Sequence, residues 1–136
     1  MNDHATRGVH HLGLTTADLP ATYDFFTQAL GFEKVAEVPE YPAAFVTDGT
    51  TMVTLWQVQD TDRFVSFDRR HNVGLHHVAF GVVNDAQLDA LYGKVSAWPG
   101  VDIECEPCAI GEGSPTRHFL FMAPGGIRVE LATPFD

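Results

Sequence analysis

GVHHLGL at residues 8–14 recurs as GLHHVAF at residues 74–80, so the chain contains two copies of one short segment. Each copy has large apolar residues at alternate positions, which is typical of a strand with one buried face. A helix-capping side chain follows each copy, Asp18 in the first and Asn84 in the second, and apolar residues then recur at helical spacing. The sequence therefore predicts two similar units, each beginning with a strand and a helix.

Three further strands are predicted after each helix. They cover residues 33–38, 43–48 and 52–58 in the first unit and 101–106, 118–122 and 127–132 in the second. The predicted fold class is α+β, with two βαβββ units at residues 8–58 and 74–134 whose strands form a curved mixed sheet around a concave cavity. A polar linker at residues 59–73 joins the units within one domain, which covers residues 1–136.

The composition excludes several classes of partner. A chain of 136 residues is long enough to bury a core without disulfides. Eight basic residues against eighteen acidic ones give a net charge of −10, so we expect no nucleic-acid partner. The apolar runs are shorter than the stretch of about 18 residues that suggests a spanning helix, and the N-terminal residues lack the apolar core of a secretory signal. We therefore expect a cytoplasmic protein with no membrane partner.

Strand alternation places three potential metal ligands on one surface. The large residues Leu12 and Leu14 belong against the helix, so His11 faces the cavity, and the same argument applies to His77 in the second copy. The last strand alternates in the same way and leaves Glu130 on the cavity side. Two imidazoles and one carboxylate suit a divalent ion that keeps open coordination positions. The sequence therefore predicts a metal site made of His11, His77 and Glu130.

These features resemble the vicinal oxygen chelate superfamily. It includes glyoxalase I, extradiol ring-cleaving dioxygenases, methylmalonyl-CoA epimerase, fosfomycin-resistance thiol transferases and bleomycin-binding proteins. The resemblance runs from Val9 to about Pro134. It rests on the two His-His strands, on the helix that starts at Asp18-Leu19 and ends before Gly31-Phe32, and on the closing PGGIRVEL at residues 124–131.

The resemblance implies a site and its partners. The metal ligands would be His11, His77 and Glu130, and the cofactor one divalent ion, Fe2+, Mn2+, Ni2+ or Zn2+. A small oxygenated substrate would bind the ion through two adjacent oxygens. A homodimer is expected, with the site completed either within one chain or across the dimer. His118 and Leu120 would face the same cavity.

Several positions depart from individual members of the superfamily. The fourth ligand place falls on Thr54, where glyoxalase I and the epimerases use a glutamate. Leu120 stands where extradiol dioxygenases have a catalytic tyrosine, and Ala123 where they have an aspartate. Lyase or isomerase chemistry and O₂ insertion both stay open. The alternatives are a fosfomycin-type thiol transferase, for which Arg117 and Arg128 are the nearby cations, and a non-catalytic binding protein of the bleomycin-resistance type.

Two residues are predicted to be catalytic. Glu130 would act as ligand and base, and His118 would exchange protons, because an imidazole titrates near neutrality. The other interpretation of His118, a strand histidine that bonds the neighbouring backbone, stays open. Four apolar side chains are predicted either to line a pocket or to belong to the core, namely Met52, Trp56, Phe119 and Phe121.

Cys105 and Cys108 are predicted to be buried or inert thiols. Their Cys-Glu-Pro-Cys order lies in an extended segment with no helix after it, unlike a redox pair. A zinc site would need two more ligands nearby.

Overall fold

The computed structural model describes residues 3–136, which form two similar units. The first unit consists of β1 (His11–Thr16), α1 (Leu19–Asp24) with a π-helical continuation (Phe25–Ala29), β2 (Glu33–Val38), β3 (Ala43–Thr47) and β4 (Met52–Gln57). The second consists of β5 (Val78–Gly81), α2 (Asp85–Ser96), β6 (Asp102–Ala109), β7 (Arg117–Ala123) and β8 (Ile127–Ala132). Between residues 3 and 136, no helix is both long enough and apolar enough to cross a membrane.

Each unit forms its own four-stranded sheet with the same strand order. The first sheet runs β1-β4-β3-β2 and the second β5-β8-β7-β6. The first strand of each unit lies parallel to the last, and the other neighbours are antiparallel. Both sheets are therefore mixed, and the predicted α+β class with two βαβββ units is confirmed.

The two helices begin where the sequence predicts. The carboxylate of Asp18 accepts a hydrogen bond from the amide of Ala21 at 3.1 Å, and the amide oxygen of Asn84 accepts one from Gln87 at 2.8 Å. These side chains satisfy amides that a helix start leaves unpaired. Gln57 accepts a further hydrogen bond from the amide of Leu19 at 2.7 Å, so its side chain faces α1 on the same side of β4 as the buried Val53 and Leu55.

Aromatic side chains join the two units into one core. Phe26, on the π-helical continuation of α1, meets Phe80 of β5 edge to face with ring centroids 6.0 Å apart. Phe25 meets Phe121 of β7 in the same way at 5.6 Å. Phe119 and Phe121 are both fully buried in this core. Of the two interpretations open for them, core membership is therefore correct and pocket lining is wrong.

The turn between β7 and β8 also forms hydrogen bonds that join the two units. The hydroxyl of Thr22 donates to the carbonyl of Pro124 at 2.7 Å, and the amide of Ala17 donates to the carbonyl of Gly125 at 3.0 Å. The hydroxyls of Thr16 and Thr22 lie 2.6 Å apart beneath this turn, and both residues are fully buried. The first strand and helix of the first unit therefore hold the last hairpin of the second.

Candidate functional site

Glu130 is the centre of the candidate site. Its side chain lies on β8 on the face turned away from the helices, because Val129 and Leu131 fill the core on the other face. The residue is only 6% exposed. A carboxylate buried to this extent on a strand is costly unless it is hydrogen-bonded.

Two imidazole rings lie against the buried carboxylate of Glu130. Nε2 of His77 lies 2.9 Å from Oε1 of Glu130, and Nδ1 of His118 lies 2.8 Å from Oε2. Oε2 accepts a hydrogen bond from His118, and Oε1 lies against the ring of His77, so the two rings flank the carboxylate. The register explains this placement, because Ala132 pairs with His118 and Leu120 pairs with Glu130 in the β7–β8 hairpin. His118 and Leu120 thus share the face of Glu130, as the resemblance implies.

His76 extends the chain of contacts beyond His77. Nδ1 of His76 lies 2.7 Å from Nδ1 of His77, and Nη1 of Arg128 lies 3.2 Å from the same atom of His76. Partial desolvation of the His76 ring, followed by the nearby charges of Arg128 and His77, lowers its pKa below the usual range. A neutral His76 accepts from the guanidinium. The ring of His76 therefore lies between His77 and Arg128.

Arg128 forms an ion pair with Glu104. Its Nε and Nη2 donate to the two carboxylate oxygens of Glu104 at 2.8 and 2.5 Å. These hydrogen bonds are the main reason that the pKa of Glu104 is lowered, and they raise the pKa of Arg128. Arg117 is paired in a similar way, with its Nη1 3.2 Å from Asp89. Arg128 and Arg117 are therefore each paired with a carboxylate of the same chain, and Arg69, which also lines the cavity beside His76, lies 4.0 Å from Glu104.

His11 lies apart from the other two predicted ligands. It is exposed on β1, and its Nδ1 lies 2.9 Å from Nδ1 of His10. In the part of the chain that the structure describes, the ligand atoms of His11, His77 and Glu130 do not converge to within 4.8 Å of one another. One chain thus brings together His77, His118 and Glu130 and leaves His11 on the outer strand of the first sheet.

Thr54 occupies the fourth ligand place of the resemblance and is not free to bind an ion. It is buried, and its hydroxyl accepts a hydrogen bond from the indole Nε1 of Trp56 at 2.8 Å. A methyl group at Gly13 would stand 3.3 Å from the same hydroxyl, so the site is already closely filled. The Trp56 ring packs edge to face against Tyr41 at 4.6 Å and tilted against Phe45 at 5.6 Å. An aromatic surface therefore covers the place that the resemblance assigns to a fourth ligand.

Two cavities adjoin the histidine pairs. A cavity of about 850 Å³ is lined by the linker side chains Phe64 and Phe67 and by His76 and Arg128. A smaller one, of about 250 Å³, lies between β1 and β5, where Leu12 and His77 contribute to its wall. The larger cavity has the size of a small-molecule site. The linker at residues 59–73, which is predicted to be polar, thus contributes apolar side chains to the wall of the larger cavity.

Reasoning from the sequence missed two parts of this arrangement. The indole of Trp56 fills the fourth place, and only its position two residues after Thr54 on the same strand face could have indicated that. Cys105 and Cys108 lie close to His118, and Cys108 is exposed, so of the two alternatives predicted for these thiols, buried or inert, burial is wrong for Cys108. Pro107, which lies between the two cysteines, could have indicated an irregular strand here, because proline disturbs strand pairing.

The family is established by comparison. Residues 8–131 match the Glyoxalase/Bleomycin resistance protein/Dioxygenase superfamily, and the chain belongs to that superfamily. Members of it generally bind a divalent metal ion and act on small molecules. No protein of curated function is significantly similar to the chain in sequence.

Solved structures show the same fold at low identity. Lactoylglutathione lyase from Agrobacterium tumefaciens is 22% identical, with a TM-score of 0.71 and 96% of each chain covered. A glyoxylase/bleomycin resistance protein/dioxygenase domain from Frankia sp. EAN1pec is 20% identical, with a TM-score of 0.77, 95% of this chain and 93% of that one. The fosfomycin resistance protein FosX from Listeria monocytogenes is 18% identical, with a TM-score of 0.71, 95% of this chain and 94% of that one.

Proposed function

We propose that this protein is a metal-dependent enzyme that binds two adjacent oxygens of a small substrate at an ion held by His11, His77 and Glu130. The observation that carries the proposal is the pairing of a buried carboxylate with an imidazole away from the core. Nε2 of His77 and Oε1 of Glu130 are 2.9 Å apart. Two ligand atoms that lie about 2.1 Å from one ion, at right angles to each other, are separated by about this distance. The donor set therefore fits Fe2+, Mn2+, Ni2+ or Zn2+.

We infer separate roles for the two oxygens of Glu130. When bound, the ion would act as a Lewis acid on the substrate oxygens. Oε1 of Glu130 faces His77 and is the oxygen available as a ligand. Oε2 accepts a hydrogen bond from Nδ1 of His118, so a proton can be held or exchanged between these two atoms. Glu130 and His118 are accordingly the proposed catalytic residues.

A second copy of the chain is proposed to supply His11. β1 and β5 are the outer strands of their sheets, and their outer sides are unpaired in the part of the chain described. Unpaired strand edges are templates for pairing with another chain. Exposed apolar side chains flank both edges, with Val9 63% exposed and Leu75 40%. A homodimer with β1 of one copy beside β5 of the other would cover these residues and bring His11 to His77 and Glu130.

Subunit complementation tests this arrangement. His11→Ala and Glu130→Ala chains, both carrying Cys105→Ser/Cys108→Ser so that no thiol binds metal, would form a mixed dimer when co-expressed with two different affinity tags that are removed after purification. If ligands come from both copies, one of its two sites keeps all three ligands and binds an ion, although each homodimer of variants is empty. A mixed dimer without metal, beside Cys105→Ser/Cys108→Ser protein that binds one ion per chain, would contradict a site shared between copies.

Two classes of reaction are proposed, lyase or isomerase chemistry and O₂ insertion, and Trp56 and Leu120 bear on both. Trp56 occupies the fourth place at Thr54, so a site with a second glutamate, as in glyoxalase I, is not available. Leu120 pairs with Glu130 and offers no hydroxyl where the extradiol enzymes have a tyrosine. We propose lyase or isomerase chemistry, or O₂ insertion, on three protein ligands. Iron in the purified protein would favour O₂ chemistry, and nickel, zinc or manganese would favour the other class.

A thiol transferase of the fosfomycin type is a weaker candidate. Its phosphonate substrate would need free cations, whereas Arg128 and Arg117 are each paired with carboxylates and Arg69 lies 4.0 Å from Glu104. Fosfomycin should therefore cause no shift in the melting temperature of the metal-loaded protein.

A non-catalytic binding protein is the second candidate function. The adjoining rings of Tyr41, Phe45 and Trp56 favour it, because such a surface can hold an aromatic ligand without a metal. Isothermal titration of flat aromatic compounds into chelator-treated protein distinguishes the two. Binding at full strength without metal would support the binding protein, and binding only to the metal-loaded form would support the enzyme.

A further inference from the structure

We propose that Cys105, Cys108 and His118 form a second metal site, specific for a thiophilic ion such as Zn2+ and distinct from the site on Glu130 and His77. The two Sγ atoms are 3.5 Å apart, and these atoms and a ring nitrogen of His118 all lie within 4.8 Å of one another. Among residues 3–136, this is the one group of three His, Cys, Asp or Glu side chains whose ligand atoms converge so closely.

An irregular strand pairing creates this group. Residues three apart in a regular strand point to opposite faces, so Cys105 and Cys108 should diverge. In the β6–β7 pair, however, Cys105 lies opposite Leu120 and Cys108 opposite His118, with a shift of register between the two cysteines. Such a bulge adds a residue to one strand and re-aims the side chains that follow. Here it turns both thiols to the side of β7 that carries His118.

The donor atoms suit a thiophilic ion. A tetrahedral zinc with Zn–S bonds of about 2.3 Å separates its two sulfurs by about 3.8 Å, close to the 3.5 Å found between the cysteines. Two thiolates and an imidazole select zinc or a softer ion over magnesium, calcium or manganese. Cys108 is exposed, so an ion can enter from solvent, and three protein ligands leave a fourth position for water.

His118 is oriented for this role by Glu130. Its Nδ1 bonds Oε2 of Glu130 at 2.8 Å, which leaves Nε2 as the nitrogen free to bind an ion. A carboxylate that accepts from one nitrogen of a metal-binding histidine fixes the tautomer and raises the basicity of the other nitrogen. The imidazole would therefore link the two sites. An ion on the thiols would hold His118 as a donor to Glu130 and remove it from proton exchange.

Cobalt substitution tests the second site directly, because thiolate ligands give Co2+ a near-ultraviolet charge-transfer band that imidazole and carboxylate ligands do not. Fully reduced protein is titrated with Co2+ and then with Zn2+ in three forms: parent, His77→Ala, and the double variant Cys105→Ser/Cys108→Ser. We expect the band in the parent and in His77→Ala, its loss on adding Zn2+, and no band in the double variant. The parent should hold one more zinc per chain than the double variant.

His77→Ala separates this inference from the proposed function, because it removes a ligand of the first site and none of the second. A thiolate band in His77→Ala supports the second site whether or not the first one binds metal. Absence of the band in reduced parent protein would overturn the proposal. So would equal zinc content in the parent and the double variant, when unfolding shows that both are folded.

Discussion

Replacing Gly125 with alanine should destabilise the protein far more than the same change at Gly126. Both glycines lie in the turn between β7 and β8 with positive φ, +95° at Gly125 and +94° at Gly126. A Cβ at Gly125 would stand closer than 3.0 Å to the hydroxyls of Thr16 and Thr22, whereas a Cβ at Gly126 would have nothing within 4 Å. Both alanine variants would therefore have a strained backbone, but only Gly125→Ala would also place its methyl group against Thr16 and Thr22 of the first unit.

The magnitude follows from these two contributions. A left-handed conformation costs an alanine about 1–2 kcal/mol, and this applies to both variants. Forcing a methyl group into a filled interior adds about 1–3 kcal/mol, and this applies to Gly125→Ala alone. For a domain of this size, 1 kcal/mol lowers the melting temperature by roughly 3–5 °C. Gly126→Ala should thus lose roughly 3–10 °C, and Gly125→Ala roughly 6–25 °C.

Urea unfolding followed by circular dichroism measures the difference in free energy, with equal m-values as the check that both variants unfold in the same way. We expect Gly125→Ala to be less stable than Gly126→Ala by about 1–3 kcal/mol. Equal stabilities would refute the contact of the β7–β8 turn with Thr16 and Thr22 within one chain.

The remaining predictions concern single side chains. Trp56→Phe should cost about 1 kcal/mol of unfolding free energy, because the buried hydroxyl of Thr54 loses its donor, and urea unfolding measures it. Asn84→Ala should cost about 1 kcal/mol by the same method, because α2 loses its capping oxygen. Arg128 lowers the pKa of Glu104, so this pair stabilises the fold above the unfolded carboxyl pKa of about 4.3 and less as the pH falls below it. Glu104→Gln should therefore lose less stability than the parent between about pH 5 and pH 3.

Much of the fold follows from local rules that the sequence obeys. Helix caps at Asp18 and Asn84 and the alternation of apolar residues in β4 and β8 predict the elements and their buried faces. The same alternation places Glu130 on the face away from the core and Gln57 toward the helix. These features depend on neighbours one to four residues apart, so a single sequence contains the information.

Other parts of the site depend on contacts between distant segments. The bulge in β6 brings Cys105 and Cys108 to the same side of the sheet. It depends on the register of pairing with β7, which odd and even residue numbers alone do not predict. Phe119 and Phe121 lie in a largely apolar run with Leu120 and Met122, a pattern that fits a pocket as well as a core, and the packing of Phe25 against Phe121 shows that they belong to the core. His11 lies apart from His77 and Glu130 within the described chain, and its own sequence neighbours do not indicate this separation.

The metal content of tag-free protein tests the central claim most directly. Measurement by inductively coupled plasma mass spectrometry is made in the Cys105→Ser/Cys108→Ser background, so that only the site on Glu130 is counted, with and without His77→Ala. We predict close to one divalent ion per chain in the background protein and almost none after His77→Ala. A protein that retains no iron, manganese, nickel or zinc after incubation with each, or retains as much after His77→Ala, would contradict a metal site at His77 and Glu130.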